Sequence, residues 1–327
     1  MKIGFTYDLR SDYKPADYAP SDYYGEFETE ETVSSIVDAL RALGHDVTQI
    51  GDLESLVSFL AAGNSVDLVF NMAEGRYGRA REAQVPGILE ACQIPYTFSD
   101  PLTLAICLDK GLTKQILQSA HIPTPEYLVL PPNASLDMAQ ISPLGWPLFL
   151  KPNCEGTSKG IDEKAIVDSE PALLKRVEWL WGEYKQSVLV EKYLPGREFT
   201  VGVLGTDSQS RVLGIAEITL IGKSKVYGFV EKEECESLVS YTAVDNNDLV
   251  EELSKIALAA WRLLNCRDGG RVDLRLDENG RAHVLEINTL PGLHHTHSDL
   301  PIIAAQEGVS YLQLIDEILS HAAQRMR

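Results

Sequence analysis

Three side chains with metal-binding oxygens lie close together in the sequence between residues 270 and 298. Asp273 falls on one stretch of alternating polar and apolar residues, and Glu286 and Asn288 fall on the next. The pair Asn279-Gly280 between them favours a tight turn, so the two stretches are predicted to be antiparallel strands. Because side chains two apart on a strand share a face, Glu286 and Asn288 should point the same way, with Asp273 opposite them.

Two carboxylates and an amide oxygen on one face suit a hard divalent cation. Mg²⁺ takes oxygen ligands and usually keeps open positions for substrate phosphates, so one or two carboxylates serve it better than a closed protein cage. The hairpin therefore predicts a site for Mg-ATP. A solvated hairpin with ordinary surface acids would show the same pattern, and this stretch alone leaves both interpretations open.

Residue types that suit phosphate lie earlier in the chain. Lys151 ends a predicted strand, and residues 153–161 follow as a loop of small residues, here called the glycine-rich loop. Small residues let backbone N–H groups approach phosphate oxygens, and the lysine supplies the compensating charge. A Walker loop has its lysine after the glycines, so this is a different motif. A plain hairpin turn with an exposed lysine is the alternative.

Two polar segments are candidates for lids over this chemistry. Residues 222–237 are glycine-flanked and carry lysines, which suits a polyphosphate in so acidic a protein. Residues 9–29, here called the tyrosine-rich segment, form an unusually long acidic stretch after the first strand, where α/β sheets bind ligands. Solvated surface is the alternative for residues 222–237, and a disordered or mobile loop is the alternative for residues 9–29. The lysines of the first segment are Lys223, Lys225 and Lys232.

Composition bounds the class of protein. The 327 residues are 44% hydrophobic, enough for two or three domains with real cores. The formal net charge of −19 argues against nucleic acid or an anionic membrane as the main partner. Five scattered cysteines without a CxxC motif predict neither a disulfide framework nor a zinc site. With no signal peptide and no apolar run of about 18 residues, we expect a cytoplasmic protein.

The elements that must position these residues begin as alternating strands and helices, the pattern of a parallel sheet covered on both faces. We predict strands over 2–7, 45–50, 67–72 and 95–98 and helices over 30–43, 52–62, 82–92 and 101–121. This start is Rossmann-like but lacks the GxGxxG of a dinucleotide site. Pro123 and Pro125 then mark a plausible domain boundary. Beyond it we predict strands over 147–152, 187–194, 198–204, 212–220, 271–276 and 283–287 and helices over 168–180, 247–264 and 312–323.

Together the motifs resemble those of the ATP-grasp ligases, most closely the D-alanine–D-alanine ligase group. The matching stretches are IPYT from Ile94, LDK from Leu108, LKPNCEGTSKGI from Leu150, VLVEKYLPGREFTV from Val188, and GRVDLRLD with LEINTLPG from Gly270. The resemblance implies the ATP-grasp fold, a mixture of α/β and α+β domains. It implies a Rossmann-like domain over 1–122, a central ATP-grasp subdomain over 123–195 and a C-terminal subdomain over 196–327 with the metal and substrate sites.

The resemblance also implies site residues and a reaction. Arg271, Lys232 and Ser158 match catalytic residues, Gly292 and Ser298 match groups that hold a substrate carboxylate, and Glu30 is the best candidate to grip an ammonium. Asp273, Glu286 and Asn288 match ligands of Mg²⁺, or of Mn²⁺ in its place. The implied enzyme is a homodimer that joins two D-alanines through an acyl phosphate, for peptidoglycan precursors. The implied ATP-binding residues are Lys110, Lys151, Glu155, Gly156, Thr157, Ser158, Glu191, Lys192, Leu194, Glu198 and Lys232.

This sequence departs from the family's pattern around the amino-acid sites. The tyrosine-rich segment replaces a glycine-rich turn, the usual His-Gly after the third strand reads Glu74-Gly75, and Glu233 replaces an aromatic residue beside Lys232. These changes motivate a second hypothesis, a ligase that couples another amino acid to a non-standard acceptor, as in mycosporine-type natural products. A third is an ATP-binding regulator without activity. The cluster His294, His295 and His297 suits substrate contact or loop packing, with a zinc site as the alternative.

Overall fold

Strands and helices alternate in the N-terminal region, as the hydrophobic pattern predicts. The structure is a computed structural model that describes residues 1–14, 20, 22–222 and 226–326. The N-terminal elements are β1 (Lys2–Tyr7), α1 (Glu30–Ala42), β2 (Asp46–Gly51), α2 (Leu53–Ala61), β3 (Leu68–Met72), α3 (Gln84–Ala91), α4 (Pro101–Leu108) and α5 (Lys110–Ser119). The strands are parallel in the order β2-β1-β3, and apolar residues of α1 pack against β1 and β3.

The prediction of one helical stretch over 101–121 is wrong, because the chain breaks at Asp109. This residue has extended backbone angles, φ −85° and ψ 95°, and its carboxylate accepts a hydrogen bond from the N–H of Leu112. An aspartate at this position satisfies one of the free N–H groups at a helix start, so it begins a second helix. The break brings Lys110 to within 3.5 Å of Glu286.

The prediction of a short strand over 95–98 is also wrong. This stretch makes a single bridge, between Val69 and Tyr96. Phe98 then has a φ of 71°, a left-handed conformation that ends an extended run.

A second sheet of four antiparallel strands, in the order β4-β7-β5-β6, forms the central region. Its elements are β4 (Tyr127–Leu130), α6 (Met138–Ile141), β5 (Leu148–Pro152), β6 (Ile166–Val167), α7 (Glu170–Tyr184) and β7 (Val188–Lys192). Leu173, Val177 and Leu180 of α7 are fully buried and pack against this sheet in a core of their own.

A third sheet of five antiparallel strands, in the order β10-β9-β8-β11-β12, carries the predicted metal hairpin. Its elements are β8 (Glu198–Leu204), β9 (Arg211–Leu220), α8 (Phe229–Glu233), α9 (Cys235–Leu238), β10 (Val239–Ala243), α10 (Asn247–Leu263), β11 (Gly269–Leu276), β12 (Ala282–Asn288), α11 (Asp299–Gln306) and α12 (Tyr311–Ala323). The predicted lid over 222–237 contains two short helices, α8 and α9, and Lys223 and Lys225 lie outside the described residues.

One hydrophobic core joins the two ends of the chain. Ile36 and Leu40 of α1 belong to the same buried cluster as Leu314 and Ile318 of α12. The N-terminal and C-terminal regions therefore share a core, while the domain limits at 122 and 195 stay predictions. Within the described residues, no helix has the length and apolar character needed to cross a membrane.

Candidate active site

The hairpin of β11 and β12 pairs Asp273 with Glu286 and Arg271 with Asn288, as the spacing predicts. The register shifts just beyond Asp273, where Leu285 is the extra residue of a bulge. A bulge re-aims side chains along a strand, and this one breaks the simple alternation expected over 283–287. The side-chain nitrogen of Asn288 donates a hydrogen bond to Asp273 Oδ2 at 3.0 Å, which leaves the amide oxygen of Asn288 free for another partner.

The two carboxyl groups of the hairpin have pKa values that are shifted in opposite directions. Burial opposes ionisation of Glu286, yet Lys110, Lys151 and Lys232 hold the pKa of this carboxyl well below its usual range. Burial raises the pKa of Asp273, against the pull of Arg271. The other oxygen of Asp273, Oδ1, is buried and has no hydrogen-bond partner among the described residues.

Arg271 is held in place by two carboxylates. Its guanidinium pairs with Asp273 on the same strand and lies 3.2 Å from Asp299 at the start of α11. These carboxylates keep the guanidinium charged and oriented toward the cavity that it lines with Glu286.

Two buried lysines flank Glu191. Lys114 Nζ lies 2.5 Å and Lys151 Nζ 3.2 Å from the carboxylate. Burial lowers the pKa of Lys114 to about 8, against the effect of Glu191. A carboxylate between two lysines fixes both ammonium groups in a region where unpaired charge is costly.

An inner cavity lies between the central and C-terminal sheets. Glu198 lines it and pairs with Arg275 at 2.8 Å, whereas the Lys192 side chain also reaches outward to Glu278 at 2.9 Å. Most of the residues that the sequence predicts to bind ATP and the metal line this cavity. They are Lys151, Ser158, Glu191, Lys192, Leu194, Glu198, Lys232, Asp273 and Glu286.

The glycine-rich loop approaches the same region in a strained conformation. Thr157 and Ser158 have φ values of 46° and 54°, which are rare for residues with a side chain and occur often at ligand sites. The hydroxyl of Ser158 donates to the Tyr227 carbonyl at 3.0 Å. Lys110 Nζ donates to the Glu155 carbonyl at 2.5 Å, so the lysine contacts both this loop and Glu286.

An acidic cavity continues behind the hairpin. On one side it is lined by Arg271 and Gly292, and on the other by four glutamates of the N-terminal region. These glutamates are Glu26, Glu28, Glu74 and Glu82. Of the residues predicted for ATP and metal, Lys110, Gly156, Thr157, Glu286 and Asn288 also line it.

An outer cavity completes the site. Thr157, Lys232 and Arg271 line it together with Gly292 and Ser298. Glu30, the residue favoured from the sequence as the ammonium ligand, is exposed and lines none of the three cavities. Glu28, two residues earlier, lines both the acidic and the outer cavity.

The histidines lie at the rim of the outer cavity. His294 and His295 stack with ring centroids 4.9 Å apart and face Glu31 at 3.7 and 3.9 Å. His297 Nδ1 lies 3.1 Å from Glu236 on α9. These contacts fit loop packing, and the zinc alternative stays a hypothesis.

Comparison with known proteins decides the family. The model of the family "D-ala D-ala ligase C-terminus" matches residues 116–320. A D-alanine–D-alanine ligase of Bordetella petrii is 33% identical over 306 residues, which cover 92% of this chain and 90% of that protein. The chain belongs to the D-alanine–D-alanine ligase family. A relative known only as the uncharacterized protein y4sG, from Sinorhizobium fredii, is also 33% identical, over 89% of this chain and 87% of its own length.

The fold of the family is present throughout the chain. The structure of the D-alanine–D-alanine ligase from Bacillus anthracis, solved in complex with ATP, superposes with a TM-score of 0.77 at 25% identity and covers 99% of this chain and 98% of its own. The predicted ATP-grasp fold is therefore confirmed for this family member.

Several site residues were missed from the sequence. Lys114 lies one helical turn after Lys110, so it shares a face with it, and Arg275 lies two residues after Asp273 on the same strand face. Both could have been found from spacing. Asp299 and Glu26 reach the site from distant parts of the chain, and no local pattern indicates them.

Proposed function

We propose that this protein is an ATP-dependent ligase that joins a carboxylate to an amine through an acyl phosphate, with D-alanine as both substrates. One observation carries the proposal: Lys110 Nζ lies 3.5 Å from Glu286 of the hairpin, and Lys151 and Lys232 line the inner cavity together with this carboxylate. Three lysines about one carboxylate form a site for a polyphosphate that arrives with a metal ion. The names of its relatives, which are D-alanine–D-alanine ligases, support D-alanine as the substrate.

The residues of the hairpin fit Mg²⁺, or Mn²⁺ in its place. Asp273 Oδ1 is buried without a hydrogen-bond partner among the described residues, and such an oxygen is a suitable ligand. The nearby lysines lower the pKa of Glu286, and the amide oxygen of Asn288 makes no hydrogen bond within the described residues. When bound, the ion offsets the charge of the phosphates.

The chain's own residues can position both chemical steps. In the first step, an oxygen of the substrate carboxylate attacks the γ-phosphorus, the bond to the bridging oxygen breaks, and ADP leaves. Lys151, Lys232 and Arg271 would offset the negative charge on the transferring group. In the second step, the amine of the other substrate attacks the acyl carbon, loses a proton and displaces phosphate. Arg271 and the backbone at Gly292, which line one cavity, would stabilise the oxyanion.

Release of ADP and phosphate by the purified protein with Mg-ATP tests this proposal. D-alanine alone should give ADP and a dipeptide detectable by mass, and a panel of L- and D-amino acids and other carboxylic acceptors should give less. A protein that binds ATP but releases no ADP with any amine would instead be the non-catalytic regulator.

A second candidate function keeps this chemistry but changes the amino acid. Glu74 stands where the family usually has a histidine, and it lines the acidic cavity with Glu28 and Glu82. Alanine has a single ammonium group to pair with a carboxylate, whereas several carboxyl groups line this cavity. Turnover with another amino acid but not with D-alanine would favour this candidate.

A further inference from the structure

An ion pair joins the tyrosine-rich segment to helix α8 of the predicted lid. Arg10 Nη1 lies 3.0 Å from Glu233 Oε2, and Arg10 Nη2 donates to Glu233 Oε1 at 3.3 Å. Two hydrogen bonds from one guanidinium to one carboxylate fix direction as well as distance. Nη2 also donates to the Gly25 carbonyl at 2.9 Å, so the arginine links its own segment to the lid.

A second contact with the same segment lies at the other end of α8. A Cβ on Gly25 would lie 2.4 Å from the ring of Phe229, so this ring packs directly on the Gly25 backbone. Phe229 and Glu233 are the first and last residues of α8 and are four apart, which places them on one face of the helix. The tyrosine-rich segment therefore contacts one face of α8 at both ends.

Lys232 precedes Glu233 on α8. Successive residues of a helix are about 100° apart around its axis, so a fixed Phe229–Glu233 face also fixes the direction of Lys232. Lys232 lines both the inner and the outer cavity, and its Nζ lies 5.2 Å from the centre of the Tyr227 ring. The position of this ammonium group thus depends on how α8 is held.

Both partners of the ion pair lie where this sequence departs from the family's pattern. Arg10 belongs to the segment that replaces a glycine-rich turn, and Glu233 replaces an aromatic residue. The two departures meet in a single contact between the segment and the lid.

We infer that Arg10 is a positioning residue, which acts through Glu233 to hold Lys232 at the terminal phosphate of ATP. The inference rests on the proposed function, in which Lys232 offsets the charge of the transferring group. Arg10 lines the outer cavity and is absent from the described lining of the inner one, so its effect on the nucleotide passes through α8. ADP lacks the terminal phosphate, so a correctly held Lys232 should favour ATP over ADP.

Calorimetric binding of ATP and of ADP in the presence of Mg²⁺ tests the inference. Arg10→Gln should lower the preference for ATP over ADP by about fivefold, the size expected for a partly exposed ion pair of good geometry. Lys232→Gln should lower it at least as much. The double variant should lower it no further than Lys232→Gln alone, because Arg10 acts through that lysine. Arg211→Gln breaks a comparable pair with Glu317, at 2.6 Å, and is the control that should keep the preference.

Exchanging the two charges separates positioning from a loss of folding. Arg10→Glu alone should lower the preference, and adding Glu233→Arg should restore part of it, because the pair is rebuilt in reverse without the contact to the Gly25 carbonyl. An unchanged preference in Arg10→Gln, additive effects of Arg10→Gln and Lys232→Gln, or no restoration in the exchanged protein would each overturn the positioning role.

These binding measurements need no turnover, so they distinguish this inference from the proposed function. A reduced preference in Arg10→Gln, together with no ADP release by the original protein with any amine, would support the positioning role and overturn the ligase proposal. ADP release with D-alanine and an unchanged preference in Arg10→Gln would overturn the positioning role alone.

Discussion

The carboxylate of Glu26 accepts a hydrogen bond from the backbone N–H of Gly156 at 2.5 Å, and so joins the tyrosine-rich segment to the glycine-rich loop. Burial opposes the charged form of Glu26, yet Lys159 and Arg81 hold its pKa well below the usual range. Asp22 of the same segment accepts a hydrogen bond from the N–H of Gly160 at 2.8 Å. The described part of the segment therefore holds the loop at Gly156 and at Gly160, and is here called the clamp.

Replacing Glu26 with glutamine should loosen this clamp. The variant keeps a hydrogen-bond acceptor but leaves Arg81 and Lys159 with less negative charge, and breaking a buried pair costs roughly 3–5 kcal/mol when one partner is lost. We expect a lower free energy of unfolding and a KM for ATP raised about tenfold, because the loop is no longer held in place. Denaturant unfolding and steady-state kinetics measure the two effects. An unchanged KM for ATP would show that the clamp does not act on the nucleotide.

Replacing Glu286 with glutamine should abolish turnover while the protein stays folded. The amide removes the ionised oxygen that the surrounding lysines favour, and with it a charged ligand for the metal. Losing the charge stabilisation that the metal supplies should raise the activation free energy by several kcal/mol. This corresponds to a decrease of at least about a hundredfold in kcat. Turnover measured against Mg²⁺ concentration checks this, with circular dichroism as the control for folding. Undiminished turnover would contradict the metal assignment.

The elements predicted best from the sequence are those whose pattern is local. The strands Lys2–Tyr7 and Glu198–Leu204 occur with the predicted bounds, since buried apolar runs set their ends. The pairing of Asp273 with Glu286 also followed from spacing and a turn. The break at Asp109 was missed because the apolar residues on both sides continue a helical pattern, and only the capping role of the aspartate interrupts it.

The clamp and the acidic cavity could not be predicted in this way. Glu26 and Gly156 are 130 residues apart, and their contact depends on how the N-terminal sheet meets the central one. Glu74 was visible as a departure from the family's motif, but Glu28 and Glu82 join it only in the folded chain. Long-range contacts of this kind leave no periodic signal in a single sequence.

The stability of the ligand-free protein should depend on pH through Glu28. Burial raises its pKa from 4.5 to about 7, so between these values the folded protein binds more protons than the unfolded chain. The free energy of unfolding should therefore fall as pH rises from about 4.5 through 7, by on the order of 1–3 kcal/mol. Glu28→Gln should remove this loss. Denaturant unfolding of both proteins at several pH values gives the difference.

Comparing the original protein with the Glu28→Gln variant removes the pH effects of other groups, including those of opposite sign. Burial lowers the pKa values of His45 and His294, which makes stability rise with pH in a similar range, but both histidines are present in both proteins. A difference between the two proteins that is independent of pH would contradict the assignment to Glu28.

A Gly270→Ala substitution should disturb the hairpin through packing alone. A Cβ at this position would lie 2.4 Å from the Asn288 carbonyl oxygen and 2.7 Å from the ring of Trp261, so β11 would have to move away from β12. We expect a destabilisation of about 1–3 kcal/mol from overpacking, together with lower turnover because Asn288 is displaced. Gly87→Ala is the matched control, since a Cβ within helix α3 meets no atom within 4 Å and should stabilise by roughly 0.4–1 kcal/mol. Unfolding free energies and kcat for both variants test this, and a Gly270→Ala protein as stable and active as the original would show that the hairpin tolerates the shift.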